Sequence, residues 1–282
     1  MCPFPSAQLV RYGERKDTRG IAIVVASGKG GVGKTNLALN LGIQLSRRGQ
    51  RVTFMDADFG LANADILLDI APIADVSDAL NTERPTEDLL VNGPGGLRVL
   101  CGVSGASRNP SASRFGQREC LRALQRLQRQ CDTVIVDCGS GLNPTIAALA
   151  LASDLLMLTT TPEPTALADS YAMLKLLCLS GFAGRTGVVI NMARSRREAQ
   201  RTASRLARVA RDFLGLSVEA LGTVPFDRHV PQAVRARIPL AVRHPHCAAS
   251  VAVDEICERL TPPVPTRTSA GDIWTHVASL FL

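Results

Sequence analysis

The stretch Gly28-Lys29-Gly30-Gly31-Val32-Gly33-Lys34-Thr35 decides the fold of this chain. An apolar run typical of a buried strand, Ile21 to Ala26, precedes it, and a segment with helical spacing of its leucines, Asn36 to Arg48, follows it. The stretch fits the pattern G-x-x-x-x-G-K-[ST] in the strand-loop-helix setting that this pattern requires. Its glycines let the backbone turn successive N–H groups inward, and the positive end of the helix dipole also attracts anions. We therefore predict a phosphate-binding loop.

The side chains of this loop complete the predicted nucleotide site. The Lys34 ammonium supplies a charge for the β- and γ-phosphates of a nucleotide, and the Thr35 hydroxyl is placed to bind Mg²⁺. Lys29 is a second cation, at a position where the general pattern accepts any residue. The predicted nucleotide-binding residues of the loop are Gly28, Gly30, Gly31, Val32, Gly33, Lys34 and Thr35.

Carboxylates follow two further predicted strands. Val52 to Met55 leads into Asp56 and Asp58, and Thr133 to Val136 leads into Asp137. The carboxyl ends of parallel strands face the same crevice as the phosphate loop. There, two aspartates two positions apart can bracket a hydrated metal and an attacking water, and a strand-end carboxylate can hold Mg²⁺ through water. The predicted metal-site residues are Thr35, Asp56 and Asp137.

These motifs resemble the MinD/ParA group of deviant Walker-A ATPases, whose loop reads K-G-G-V-G-K-[ST], as residues Lys29 to Thr35 do. Asp56 to Asp65 is similar to the D-A-D-x-G-L-A-N-x-D segment of the flagellar-number regulators in that group, the FlhG family. Thr160 to Asp169 resembles their T-T-P-E-P-T-A-L-x-D segment. The resemblance implies a MinD-like ATPase domain over residues 21–260, with the α/β fold of three-layer P-loop NTPases: a mainly parallel sheet with helices on both faces.

The resemblance also implies roles for individual residues. Lys29 would reach the nucleotide of the partner subunit in an ATP-dependent homodimer; judged by itself, it is a solvated loop lysine. Asp58 would position the hydrolytic water, and Asp56 would lie in the second coordination shell of Mg²⁺. Thr165 is expected to cap the following helix, and its segment to shape the dimer face. The catalytic residues so implied are Lys29, Lys34 and Asp58.

An adenine site is predicted after two later strands. Asn191 follows the strand Thr186 to Ile190, and an amide offers both a donor and an acceptor to the edge of adenine. Related ATPases use an asparagine at this place and a P-x-D loop after the next strand, which here is Pro225-Phe226-Asp227. The predicted adenine-binding residues are Asn191, Pro225 and Asp227. Taken alone, Asn191 would be interpreted as an ordinary loop asparagine, and Pro225-Phe226-Asp227 as an ordinary turn.

The two ends of the chain are predicted to lie outside the ATPase domain. Residues 1–20 are expected to form an arm without the apolar core of a signal peptide, which favours a cytoplasmic protein. Residues 261–271 form a proline-rich linker, and residues 272–282 an amphipathic helix. MinD and FlhG proteins end in a membrane-targeting helix, so the resemblance implies attachment to the inner face of the cell membrane. The alternative is a helix that packs on the ATPase body.

The composition leaves several classes of partner open. The 282 residues are 46% apolar but only 4% aromatic, which suits a parallel-sheet core of small aliphatic side chains. The net charge of +7 suggests an acidic partner, a membrane surface or nucleic acid. Two rows of arginines with helical spacing, within 114–129 and 197–211, are either solvated helix faces or docking surfaces.

The cysteines give no sign of a metal centre. The eight cysteines include no C-x-x-C pair, which argues for reduced core cysteines and against an iron–sulfur carrier. The run His244-Pro245-His246-Cys247 is too crowded to bind zinc without a second cluster, and the sequence shows none. We interpret it as a loop before the helix Ala248 to Leu260.

The function implied by the resemblance is an ATP-switched dimeric ATPase, with slow hydrolysis, that regulates flagellar number or placement. Its partners would be a flagellar GTPase of the FlhF kind or flagellar switch proteins. Of the GTPase-activating motif D-Q-A-x-x-L-R, the segment Ser6 to Arg11 keeps the alanine and the arginine, with valine in place of leucine. The alternatives are a ParA-type partitioning ATPase that binds DNA non-specifically and a scaffold that binds ATP without hydrolysing it.

Overall fold

The computed structural model describes the chain in five stretches: residues 19–58, 62–72, 86–102, 114–141 and 143–260. The arm up to residue 18, the linker 261–271 and the helix predicted for 272–282 lie outside these stretches, so they stay predictions. Within the described stretches, no helix has the length and apolarity needed to cross a lipid bilayer.

The described residues contain eight strands that form one sheet. They are β1 (Ile21–Ser27), β2 (Val52–Ala57), β3 (Val91–Asn92), β4 (Arg98–Leu100), β5 (Thr133–Ser140), β6 (Leu155–Thr160), β7 (Thr186–Ala193) and β8 (Val218–Pro225). Their order in the sheet is β3-β4-β2-β5-β1-β6-β7-β8. All neighbours are parallel except β3 and β4.

Helices connect most of these strands. They are α1 (Lys34–Arg47), α2 (Ala64–Leu68), α3 (Arg114–Gln130), α4 (Pro144–Ala152), α5 (Pro164–Leu179), α6 (Arg196–Leu214), α7 (His229–Arg235), α8 (Leu240–Arg243) and α9 (Ala248–Leu260). Short 3₁₀ turns occupy Thr86–Leu89 and Pro94–Gly96.

Strand β1 is buried along its whole length because helices cover both faces of the sheet. Ala22, Val24 and Ala26 join the apolar cluster under α3 to α6, whereas Ile23 and Val25 join the cluster under α1 and α9. Burial of each such valine or isoleucine side chain contributes about 1.5–3 kcal/mol. The predicted three-layer α/β fold is therefore confirmed.

The order of the strands places the candidate site. Strand β1 lies between β5 and β6, and the chain leaves β1 toward β2 on one side and later crosses to β6 on the other. A crevice at the carboxyl ends of the strands is expected where connections diverge in this way. The phosphate loop follows β1 at this point.

Two details differ from the sequence predictions. Arg19, assigned to the arm, belongs to the folded body: its guanidinium forms an ion pair of 3.0 Å with the buried carboxylate of Asp154. Phe213 is one of the apolar residues between the arginines of 197–211 and the end of α6, where the sequence predicts an apolar face, but it is 71% exposed, whereas its neighbour Leu214 packs against the core.

Candidate nucleotide-binding site

The phosphate loop ends in a helix N-terminus that is free to bind an anion. Gly33 is the N-cap residue of α1, with a φ of 82°, and in the described chain no side chain caps this helix and no acidic residue lies in its first turn. The first backbone N–H groups of a helix have no partner within the helix. Those of α1 therefore point toward the crevice beside Lys34 and Thr35, where a phosphate would be favoured.

Two of the glycines are required by close packing. A Cβ atom at Gly33 would lie 2.4 Å from Nδ2 of Asn191, and the positive φ of Gly33 disfavours any L side chain. A Cβ atom at Gly28 would lie 2.3 Å from the carbonyl carbon of Asp169 in α5. The loop is thus pressed between β7 and α5, which fixes its path.

A buried ion pair closes the inner end of the loop. The Lys34 ammonium lies 2.6 Å from Oδ1 of Asp137, and the two side chains are only 7% and 1% exposed. Burial raises the pKa of Asp137, and the opposing effects of the Lys34 charge and of the Thr35 hydroxyl do not cancel it. The charges of Lys34 and Asp137 therefore compensate each other, because either charge alone would be strongly destabilising at this buried position.

The environment of Asp137 fits a divalent cation. Its second oxygen, Oδ2, is buried and has no hydrogen-bond partner among the residues that the structure describes. The Thr35 side chain interacts with the same carboxylate. Carboxylate and hydroxyl oxygens are the ligands that Mg²⁺ prefers, usually together with water and substrate phosphates. The residues present are thus suited to Mg²⁺.

Asp56 lies beside Asp137 because β2 and β5 are parallel and pair these two residues. Its carboxylate accepts hydrogen bonds from the backbone N–H groups of Asp58 at 3.0 Å and of Asn63 and Ala64 at 3.2 Å each. Burial, followed by the charge of Asp137, raises the pKa of Asp56 to about 7. Asp56 therefore holds both ends of the loop between β2 and α2.

Asp58 faces the carboxyl end of β5. A Cβ atom at Gly139 would lie 2.9 Å from Oδ1 of Asp58, so the missing side chain at Gly139 leaves room for this carboxylate. Asp58 is half-buried and extends the row of carboxylates toward the open side of the crevice. The structure thus brings the three predicted aspartates and Lys34 to one edge of the sheet.

Lys29, at the outer end of the loop, has local partners. Its ammonium lies 2.7 Å from Oε2 of Glu163 and 3.1 Å from the hydroxyl of Thr165. The prediction that Thr165 caps α5 is wrong: Glu163 occupies the N-cap position, and no side-chain hydrogen bond caps the helix there. The Lys29 and Glu163 side chains are 38% and 63% exposed, so this ion pair is in contact with solvent.

An apolar cleft opens beside Gly33. The three predicted adenine-binding residues line it together, within the set Gly33, Asn36, Asn191, Pro225, Phe226 and Asp227. The Asn191 amide donates to the carbonyl of Val32 at 2.8 Å and accepts from the N–H of Met192 at 2.9 Å. Asn191 therefore ties the phosphate loop to the wall of the cleft.

Asp227 is held by the helices beyond the cleft. Its carboxylate accepts hydrogen bonds from the backbone N–H groups of His229 at 2.9 Å and Ala249 at 3.1 Å. Burial acts to raise the pKa of Asp227, but these bonds and one from the His229 ring outweigh it and lower the pKa to about 2. The carboxylate is thus charged, and its hydrogen bonds fix the loop that forms this wall of the cleft.

Comparison with known proteins agrees with this geometry. Residues 23–240 match the CobQ/CobB/MinD/ParA nucleotide binding domain. The chain is 32% identical to the antiactivator FleN of Pseudomonas aeruginosa, with 86% of this chain and 87% of that protein covered. It is 30% identical to the flagellum site-determining protein YlxH of Helicobacter pylori, over 86% of this chain and 83% of that one.

A solved structure shows the same fold. The cell division ATPase MinD of Pyrococcus furiosus superposes with a TM-score of 0.69 at 26% identity, over 86% of this chain and 98% of the other. The matching region contains the phosphate loop and the strand ends that carry Asp56 and Asp137. This chain therefore belongs to the CobQ/CobB/MinD/ParA family of nucleotide-binding proteins, in which it is similar to flagellar regulators and to the ATPase MinD.

Proposed function

We propose that the protein is a dimeric switch that binds ATP, hydrolyses it slowly and regulates the number or placement of flagella. The similarity to FleN and YlxH supports the flagellar role. The observation that carries the chemistry is the buried pair of Lys34 and Asp137 at the inner end of the phosphate loop. It puts a cation for the phosphates and a carboxylate for Mg²⁺ at one point of the crevice.

Nucleotide binding would begin with an exchange of partners by Lys34. The phosphates of ATP, drawn to the N–H groups of the loop and of α1, compete with Asp137 for the Lys34 ammonium. Release from Lys34 leaves the Asp137 carboxylate, together with the Thr35 hydroxyl, to hold Mg²⁺ through its oxygens. When bound, the ion neutralises charge that develops on the β- and γ-phosphates. Asp56, on the neighbouring strand β2, lies beside Asp137, and its hydrogen bond to the Asp58 N–H fixes the loop that carries Asp58.

Asp58 is proposed to orient the water that attacks the γ-phosphate. A carboxylate at the open edge of the crevice can accept a hydrogen bond from water and so fix its direction. The space over Gly139 lets the Asp58 side chain reach this edge. Slow hydrolysis follows if this water is oriented only weakly until a partner protein binds.

Dimer formation would require Lys29 to change partners. Lys29 is paired with Glu163 and Thr165 of its own chain, and must leave them to reach a nucleotide in a second copy. An ion pair with this exposure contributes only about 0–1 kcal/mol, so a triphosphate can outcompete it. The same face contains the start of α5, which supports the assignment of that segment to the dimer interface.

The cleft beside Gly33 is the proposed adenine site. Its apolar walls suit a base, and Asn191 retains a second amide hydrogen and further lone pairs for the edge of adenine. Pro225 and Asp227 supply the opposite wall, Asp227 through the loop that it stabilises.

The cellular setting follows from the same proposal. We place the protein in the cytoplasm, attached peripherally to the inner face of the membrane through residues 272–282. A flagellar GTPase of the FlhF kind or flagellar switch proteins are its proposed partners. These assignments are supported by the similarity to FleN and YlxH and by the sequence of the tail.

Two matched variants test the hydrolytic and flagellar roles. Asp58→Asn should lower ATP turnover by about 100-fold or more, whereas Asp69→Asn, a change at an exposed aspartate beyond α2, should leave it unchanged. In cells that lack the gene, Asp69→Asn should restore the normal number of flagella and Asp58→Asn should not. Unchanged turnover in Asp58→Asn would contradict the water-orienting role. An equal number of flagella in cells with and without the gene would contradict the flagellar role.

A second candidate function is non-specific DNA binding of the ParA type. It is favoured by the exposed row of arginines on α6, which consists of Arg197, Arg201, Arg205, Arg208 and Arg211. Duplex DNA bound by such a row should dissociate steeply as salt rises, because counterions are released on binding. Gel-shift titrations at low and moderate salt, with Arg201→Ala/Arg205→Ala as the variant, separate this function from the flagellar one.

A further inference from the structure

The loops after β8 and α8 bring together three side chains, of which Asp227 also lines the proposed adenine cleft while the other two are unused there. The ligand atoms of Asp227, His229 and Cys247 all lie within 4.8 Å of one another. Asp227 lies in the loop before α7 and His229 is the first residue of α7, whereas Cys247 immediately precedes α9. The sequence shows no second cluster near Cys247 and its histidine neighbours, and so argues against a zinc site; the fold brings Asp227 and His229 next to Cys247.

We propose that Asp227, His229 and Cys247 bind a divalent transition metal ion, with Zn²⁺ as the best match. Sulfur, imidazole nitrogen and carboxylate oxygen are the ligand types that Zn²⁺ takes in proteins. Tetrahedral ligands bound to one Zn²⁺ at about 2.0–2.3 Å are separated by about 3.3–3.8 Å, so the three ligand atoms, which lie within 4.8 Å of one another, would have to move closer when the ion binds. A thiolate and a carboxylate would also balance the charge of the ion.

The hydrogen bonds within the cluster are those that a metal ion would replace. Nδ1 of His229 lies 2.7 Å from Oδ1 of Asp227, and the Cys247 thiol is also hydrogen-bonded to the Asp227 carboxylate. Because Asp227 is charged, the imidazole and the thiol are the donors. Binding of one M²⁺ would displace the proton from Sγ and shift the imidazole proton from Nδ1 to Nε2, a net release of one proton, and would leave three ligands on the ion.

The surroundings of Cys247 act on its thiol in opposite directions, and burial together with the Asp227 carboxylate prevails, raising the pKa of the free thiol. Cys247 lies at the N-terminus of α9, and the backbone N–H groups of Ala249 and Ser250 point at its sulfur. Such N–H groups and the positive end of a helix dipole stabilise a thiolate. The burial that raises the pKa of the free Cys247 thiol would be offset once the sulfur is bound to a cation.

His244 lies next to the cluster but outside the group of mutually close ligand atoms, so its ring would have to turn to supply a fourth ligand. Its ring lies against that of His229, with 4.7 Å between the ring centroids. Its Nε2 atom is buried and lacks a hydrogen-bond partner among the described residues. Four protein ligands would make a closed site of the structural kind.

The test is a titration of the full-length, chelator-treated protein with Co²⁺, in excess Mg²⁺ so that oxygen-rich sites are filled. We expect one Co²⁺ per chain, with a thiolate-to-cobalt charge-transfer band and the visible bands of four-coordinate Co²⁺. Cys247→Ser should abolish the charge-transfer band, and His229→Asn should weaken Co²⁺ binding on the order of 100-fold. His244→Asn should change the visible bands. The matched control Cys178→Ser, in α5, should behave as the unmodified chain does.

A second measurement needs no variant. One equivalent of Zn²⁺ should protect Cys247 from alkylation in the unmodified protein, as read by peptide mass spectrometry, and should not protect Cys178, which is also partly exposed. Zn²⁺ should also raise the unfolding temperature, because it binds the folded chain. A charge-transfer band that survives Cys247→Ser, or equal alkylation of Cys247 with and without Zn²⁺, would overturn the proposal. Neither readout depends on ATP or on flagella.

Discussion

The two ends of the phosphate loop present the same side chain in opposite environments. Lys34 is 7% exposed and lies 2.6 Å from a buried carboxylate, Asp137; Lys29, five positions earlier, is 38% exposed and lies 2.7 Å from an exposed carboxylate, Glu163. The distances are nearly equal, but the energies are not, because water screens only the outer pair. The inner ion pair is therefore strong and fixed, whereas the outer ion pair is weak enough for Lys29 to change partners.

The two ends of the loop should differ most, in stability and in ATP binding, when the lysine of each end is replaced by an uncharged residue. Lys34→Met should abolish ATP binding and lower the free energy of unfolding by about 3 kcal/mol, because Asp137 is left buried without its partner. Lys29→Met should lower it by less than about 1 kcal/mol and should leave ATP binding to the monomer intact. Urea denaturation and titration with a fluorescent ATP analogue measure both quantities.

Equal losses of stability in Lys34→Met and Lys29→Met would contradict this comparison. So would ATP binding that survives Lys34→Met.

The backbone should show the same contrast at a smaller scale. Gly33→Ala should cost at least about 2 kcal/mol, because Gly33 has a left-handed conformation and its Cβ would collide with Asn191. Gly30→Ala, at the outer end, should stay within about 0.5 kcal/mol, since its Cβ would lie 3.5 Å from the Ser140 hydroxyl, an ordinary contact. Thermal unfolding of the two variants is the measurement, and a loss in Gly30→Ala as large as that in Gly33→Ala would show that the outer end is equally constrained.

The smallest effect concerns the outer ion pair itself. A double-mutant cycle with Lys29→Met and Glu163→Gln should give a coupling energy of about 0.5 kcal/mol or less at low salt. The coupling should approach zero at 1 M salt, where the Debye length is about 3 Å. A coupling energy above about 2 kcal/mol, or one that salt does not change, would mean that the outer pair is as firmly held as the inner one.

Much of this molecule follows from the sequence because its signals are local or repeat along strands. The phosphate loop is a contiguous motif between a strand and a helix, and the structure has both. Asp56 and Asp137 could be placed together without a structure because both end parallel strands, and the register pairs them directly. Their hydrogen bonds could not be placed, since those depend on how the loop after β2 folds back on Asp56.

The remainder depends on contacts between distant parts of the chain. Glu163 and Lys29 are 134 positions apart, and no local pattern links them. Thr165 was predicted as a helix cap from its position alone, but its hydroxyl faces Lys29 instead. Cys247 looks isolated in the sequence because its partners Asp227 and His229 belong to another loop. In each case the sequence specifies the side chain and the fold specifies its neighbour.

The central claim is that Lys29 exchanges Glu163 for a nucleotide in a second copy of the chain. Sedimentation velocity of Asp58→Asn with saturating Mg-ATP tests it most directly, since blocked turnover preserves the ATP state. We predict a dimer with ATP, a monomer with ADP, and a monomer with ATP once Lys29→Met is added. A monomer at saturating ATP, or a dimer that forms equally well without Lys29, would contradict the account.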